Sequence, residues 1–317
     1  MVSNTQEGRE KHSYNAFSDY LSAQRGLIPE LPPVTHVTSR VIRILGGNPG
    51  EMQLQGTNTY LLGTGNSRIL VDTGQGFKSW IESLIQYLNS KNLDISFVLL
   101  THWHQDHTGG VRDLIFHKPH LASRIYKSNP DRGQIPIADG QIFHVEGATL
   151  KAILAPGHAF DHTCFVLEEE QALFTGDNIL GHGFTVIEDL GAYLSSLRYM
   201  ESQRCLEGYP GHGTVIENLA CKIGQYIRRE ELRINQVYSL LVKKNVSQQG
   251  SLRKSSFTNR ELVTLLYGEV SDSLFEIALG PCINNCLWKL AEDGKIGFEI
   301  RGCNRVWYAH SSVFLGN

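Results

Sequence analysis

The segment Thr101-His102-Trp103-His104-Gln105-Asp106-His107 places three imidazoles and a carboxylate within six residues, directly after the apolar run Phe97-Val98-Leu99-Leu100. Imidazole nitrogen and carboxylate oxygen are the donors zinc accepts, and other first-row metals that activate water take the same set. One histidine in such a loop reads as an ordinary hydrogen-bonding residue. Three with an aspartate at this spacing read as a metal site. At the end of a strand, His102 and His104 can point one way while the chain turns to bring Asp106 and His107 toward a second point. Two metals can therefore be held.

Similar placements recur downstream. His158 in Ala155-Pro156-Gly157-His158, Asp177 in Gly176-Asp177 and His212 in Tyr209-Pro210-Gly211-His212-Gly213 each follow a β-type run or sit in a Gly/Pro turn. From there a side chain can project off a rigid edge into a cleft. Singly, each has an ordinary reading as a turn residue. Jointly they give two sets: His102, His104 and His158 for one metal, and Asp106, His107 and His212 for the other. Asp177 can bridge them through its two oxygens. Asp72, at the end of Arg68-Ile69-Leu70-Val71, is expected to support a ligand and not to be one.

The elements that must carry these residues are legible as short β-type runs. Val41–Leu45, Asn58–Leu62 and Arg68–Asp72 are separated by Gly-rich turns, as in adjacent strands of one sheet. Trp80, Leu84, Ile85 and Leu88 predict a helix over 77–91, and a strand follows from Ile95 into the histidine cluster. Short strands are expected around 124–127, 141–145 and 150–154, and a hairpin over 163–168 and 171–175. After Ile216 the pattern turns helical: Ile223, Ile227, Ile234, Val237 and Leu241 mark one long helix. Thr258-Asn259-Arg260-Glu261 has the spacing of a capping box opening a second helix. A third is expected over 282–291, followed by two strands near 296–300 and 305–309.

At 317 residues the chain can hold one large domain with a smaller one attached. A net charge of −3 argues against a protein whose main task is coating nucleic acid or an anionic membrane. No secretory signal and no run of about 20 apolar residues is visible, so a cytoplasmic protein without a membrane anchor is expected. The six cysteines form no CxxC pair and are expected to be reduced thiols. Cys282, Cys286, Cys303 and His310 could be imagined as a zinc site, but the setting favours small buried side chains.

The motifs T-H-W-H-Q-D-H, P-G-H, F-T-G-D and Y-P-G-H-G, in this order, resemble those of the metallo-β-lactamase superfamily over roughly residues 40–215. The resemblance implies an αββα sandwich with a two-metal site at one edge of its sheets, holding two zinc ions or, alternatively, manganese. His162 resembles a supporting histidine of glyoxalase II-like relatives. The segments 50–60, 71–76 and 184–190 are similar to the branch containing β-lactamase-like protein 2 and the stand-alone thioesterases of fungal non-reducing polyketide pathways. The N-terminal segment, with Phe17-Ser18-Asp19-Tyr20-Leu21, resembles the arm of the latter. The domains expected are an arm over 1–36, the metallo-β-lactamase domain over 37–216, and a winged-helix-like domain over 217–317.

For this branch the implied function is release of a polyketide acid, such as atrochrysone carboxylic acid, from an acyl carrier protein of a non-reducing polyketide synthase. A metal-bound hydroxide would attack the thioester carbonyl, with Asp106 as the catalytic carboxylate. The alternatives are a metal-dependent endoribonuclease and a DNA-binding regulator with a structural metal site. From Lys222 to Asn317 there are 13 Lys+Arg and 9 Asp+Glu, a difference of +4. That mild excess, without a dense basic helix, argues against DNA reading and for a packing role closing one wall of the substrate cleft.

Overall fold

The computed structural model describes residues 28–246 and 256–310, so the N-terminal segment around Phe17–Leu21 lies outside the described residues. Two compact units meet between Tyr226 and Ile227, inside one continuous helix, Leu219–Val246. The sequence boundary expected at residue 216 marks the change of periodicity. The spatial division comes ten residues later because the helix begins in one unit and ends in the other.

The first unit is built on two mixed sheets. One has seven strands in chain order: β1 (Val34–His36), β2 (Val41–Leu45), β3 (Asn58–Leu62), β4 (Ser67–Val71), β5 (Asp94–Leu99), β6 (Ile125–Lys127) and β7 (Ile135–Pro136). Pairing is antiparallel through β4 and parallel from β4 onward. The other sheet has the order β12-β11-β10-β9-β8, from β8 (Ile142–Val145), β9 (Ala148–Leu154), β10 (Thr163–Leu167), β11 (Ala172–Gly176) and β12 (Glu207–Pro210). It is antiparallel except for the β11–β12 pair. Val34–His36, expected within the arm over 1–36, is instead the edge strand of the first sheet.

Alternation along the strands decides which face packs where. Val41, Tyr60, Leu62, Ile69, Val71 and Leu99 from the first sheet meet Phe143, Leu150, Phe165, Phe174 and Tyr209 from the second in one buried cluster. The intervening residues Ile42, Ile44, Leu61, Leu70 and Val98 face the other way, onto Trp80, Ile81, Leu84 and Leu88 of α1 (Lys78–Lys91). Two short helices, α2 (Gln105–Thr108) and α3 (Val111–His117), follow β5. The helix α4 (Leu190–Ser202) buries Tyr193, Leu194, Leu197 and Met200 and is capped by the Asp189 carboxylate, which accepts from the Ala192 N–H. Its neighbours belong to the second sheet: the Tyr193 hydroxyl donates to the Asn178 carbonyl and Lys151 Nζ to Gln203 Oε1.

In the second unit, the part of α5 (Leu219–Val246) from Ile227 onward is followed after the undescribed stretch by α6 (Asn259–Tyr267), α7 (Gly280–Glu292) and the hairpin of β13 (Ile296–Arg301) with β14 (Asn304–Ala309). The capping box is formed: the Thr258 side chain accepts from the Glu261 N–H, and the Glu261 carboxylate accepts from the Thr258 N–H. Val263, Ile283, Leu287 and Trp307 are buried in this unit. No described helix is long and apolar enough to cross a membrane.

Candidate metal centre

All seven candidate ligands stand at the ends of strands. His102 and His104 follow β5, with Asp106 and His107 in the first turn of α2. His158 follows β9, Asp177 follows β11 and His212 follows β12. The first group thus draws donors from both sheets, and so does the second. Among the described residues, the side chains able to hold a metal ion form two groups: His102, His104 and His158, and Asp106, His107, Asp177 and His212. Cys282, Cys286, Cys303 and His310 form no such group among the described residues, and all six cysteines are free thiols.

In the first group the imidazole nitrogens converge. His104 Nδ1 lies 2.9 Å from His102 Nε2 and 3.0 Å from His158 Nε2, and the last two are 3.3 Å apart. Neighbouring donors of a tetrahedral zinc site, at bond lengths of about 2.0–2.1 Å, are separated by roughly 3.3 Å. The triangle is therefore the size of one face of such a site. The far nitrogens explain why lone pairs point inward. His158 Nδ1 donates to the Val186 carbonyl at 2.8 Å, with the Thr185 hydroxyl also 2.8 Å away. His102 Nδ1 donates at 2.9 Å to the Thr101 hydroxyl, which passes its own proton to Asp72. Burial pushes the imidazolium form of His102 down and holds His158 at about 4, so both remain neutral donors.

The second group has the opposite electrostatics. His107 Nε2 faces Asp106 Oδ2 at 3.5 Å and Asp177 Oδ1 at 3.4 Å, while His212 Nε2 faces Asp106 Oδ2 at 3.2 Å and Asp177 Oδ2 at 3.3 Å. Asp177 Oδ2 also lies 3.7 Å from His158 Nε2, so this one carboxylate reaches both groups. Burial alone would lower the two imidazoles. The carboxylates outweigh it, raising His107 well above its ordinary range and His212 to about 9. Burial likewise works to raise Asp106, but the charge of His107 and the His212 hydrogen bond hold its carboxyl down at about 2. His107 Nε2 and Asp177 Oδ1 are buried and have no hydrogen-bond partner. Buried polar atoms left so are costly, and a divalent cation between them would satisfy both. The residues present fit two such ions.

Asp72 takes the supporting place expected of it. Its Oδ2 accepts from His107 Nδ1 at 2.8 Å and its Oδ1 from the Thr101 N–H at 2.8 Å. One carboxylate thereby orients a histidine in each group. It does so from the left-handed backbone region, φ 59°, an uncommon conformation for a non-glycine residue. His162 Nε2 accepts from the Asp177 N–H at 3.0 Å, so it fixes the Asp177 backbone and is not a donor to a metal. Gly157 is required before His158: at φ 143° it leaves no room for a side chain, since a Cβ would lie 2.4 Å from Tyr193 Cα. Thr185 and Val186, which anchor His158, and Asn178, whose amide donates to the Ala155 carbonyl, carry no pattern in the sequence that marks them as site residues.

Cation uptake by the second group must displace protons from His107 and His212. Affinity there is expected to fall as pH drops below about 9, by up to about tenfold per unit for each proton displaced. His102 and His158, held neutral by burial, give up no proton to a cation above pH 6, so the first group should show a flatter dependence there. Chelator competition at pH 6, 7 and 8 checks this: two equally pH-insensitive affinities would contradict the electrostatics just described.

The family model described as the metallo-beta-lactamase superfamily matches residues 53–212, which contain all seven residues of the two groups. The lactamase-like protein adaB of Aspergillus niger is 55% identical over 296 residues, covering 92% of this chain and 93% of its own. The lactamase-like protein aptB of Emericella nidulans is also 55% identical, covering 93% of this chain and 95% of its own. Among solved structures, a beta-lactamase domain protein from Burkholderia ambifaria superimposes with a TM-score of 0.68 at 17% identity, over 91% of this chain and 99% of that one.

Proposed function

Since this chain belongs to the metallo-β-lactamase superfamily, we propose that it is a metal-dependent hydrolase that releases a polyketide acid from an acyl carrier protein of a non-reducing polyketide synthase. The observation that carries this substrate class is the apolar rim beside the candidate ligands. Trp103, between His102 and His104, is 45% exposed, and Phe160, between His158 and His162, is 62% exposed. Phe184 and Val186, on the segment that anchors His158, are 63% and 53% exposed. An aromatic acyl chain can lie against such surfaces. A ribonuclease site would instead need basic groups that track a phosphate backbone.

The donor set is rich in imidazole, which suits zinc, with manganese the alternative where carboxylates dominate. His102, His104 and His158 would hold one ion and Asp106, His107 and His212 the other, with Asp177 between them. When bound, such ions polarise a carbonyl oxygen and lower the pKa of water to about 7, so a nucleophile exists at neutral pH. The chain's own groups then set orientation and proton traffic. Asp106 is placed to orient the attacking water and to carry its proton as the C–S bond breaks. A thiolate leaves readily, so no strong general acid is needed. The elements over Asn259–Ala309, helices followed by a hairpin, are read as a winged-helix-like appendage.

The deciding experiment offers the metal-loaded protein a polyketide thioester on an acyl carrier protein and, separately, RNA. Thiol release from the first and an intact second are expected. Cleaved RNA with salt-sensitive binding, and an untouched thioester, would replace this reading with the endoribonuclease.

A further inference from the structure

Outside the seven candidate ligands, one buried ion pair among the described residues of the first unit is used by no step of the chemistry. Lys127 and Asp161 are 2% and 3% exposed, and Lys127 Nζ lies 3.7 Å from Asp161 Oδ2. Lys127 ends β6 of the first sheet, whereas Asp161 stands in the loop between β9 and β10 of the second, three residues after His158. The neighbouring Ser128 hydroxyl donates to the Asp161 carbonyl at 2.7 Å. The other carboxylate oxygen, Oδ1, accepts at 3.2 Å from the N–H of Trp103, the residue between His102 and His104.

Desolvating such a pair costs about as much as its attraction returns, and an apolar pair of similar volume is often as stable. Stability alone is thus a weak reason for burying it. Geometry supplies a stronger one. Two donors of the first group sit on the Trp103 loop and the third on the Asp161 loop, and Asp161 is held through its carbonyl by Ser128 while its carboxylate holds the Trp103 backbone. We infer that Asp161 is a positioning residue that sets the spacing between His158 and the His102–His104 pair. The inference rests on the metal-site reading above, but not on the identity of the substrate.

The test reads metal binding. In the double variant Lys127→Met/Asp161→Ala no charge is left buried and the Trp103 N–H loses its acceptor. One of the two zinc affinities should weaken by about 10- to 100-fold, the size found for partners that orient a ligand, with the other unchanged. In Lys127→Met/Asp161→Asn the carboxamide oxygen keeps the acceptor, and most of the affinity should return. Affinities measured by chelator competition that stay within twofold of wild type in the Ala double variant overturn the inference. Should that variant not fold, Asp161→Glu moves the carboxylate by one methylene and should alter the visible spectrum of the cobalt-loaded protein. An unchanged spectrum would equally overturn it. A wild-type chain that binds no metal would instead refute the proposed function, a separable result.

Discussion

Asp106→Asn is expected to lower thioester turnover by about 10²- to 10⁴-fold, roughly 3–5 kcal/mol in the barrier, with the fold intact. The substitution keeps the volume and one oxygen, so packing in the first turn of α2 is undisturbed. It removes the negative charge that lies 3.2 Å from His212 Nε2 and 3.5 Å from His107 Nε2, and the group that can accept a proton. A carboxylate can carry a proton, whereas a carboxamide has no comparable basicity. Initial rates at saturating metal, with a thermal melt as control, measure the effect. Turnover near wild type would remove Asp106 from the proton path.

Gly211→Ala should be nearly as damaging, through a different route. A Cβ at Gly211 would stand 2.2 Å from Asp177 Oδ1 and 2.9 Å from His107 Cε1. Both neighbours are fixed: the Asp177 N–H is tied to His162 and His107 Nδ1 to Asp72. The carboxylate that reaches both groups must swing away, taking its 3.3 Å approach to His212 with it. We expect metal content to fall from two ions per chain to one or none, read by elemental analysis after dialysis. Two tightly held ions in this variant would show that the gap beside Gly211 is not needed.

The two groups of candidate ligands were legible because their signal is local: polar donors placed directly after apolar β-type runs and framed by glycine. The strands and α1 were legible for the same reason, through alternation and through the 3.6-residue repeat of Trp80, Leu84 and Leu88. The helix α4 was not anticipated, although Asp189 followed by Leu190, Tyr193, Leu194 and Leu197 carries both a cap and a repeat. It follows the Gly-rich turn after Asp177, where the β-type runs break off. Val34–His36 was masked by Pro32-Pro33, yet an edge strand tolerates prolines nearby. What no local pattern could give is the pairing of Asp161 with Lys127 and Trp103, or the Thr185–His158 contact. Those are partnerships across tens of residues, fixed only when the two sheets come together.

The origin of the donors has a consequence for how the molecule comes apart. His102, His104, Asp106 and His107 belong to one sheet, and His158, Asp177 and His212 to the other, so each ion would rivet the two layers at their rim. A ligand bound only by the native state at a thousandfold its dissociation constant adds about 4.1 kcal/mol to folding stability. Separating the layers would then demand release of the ions first, and the rate of opening would follow their escape and not the apolar interface behind them.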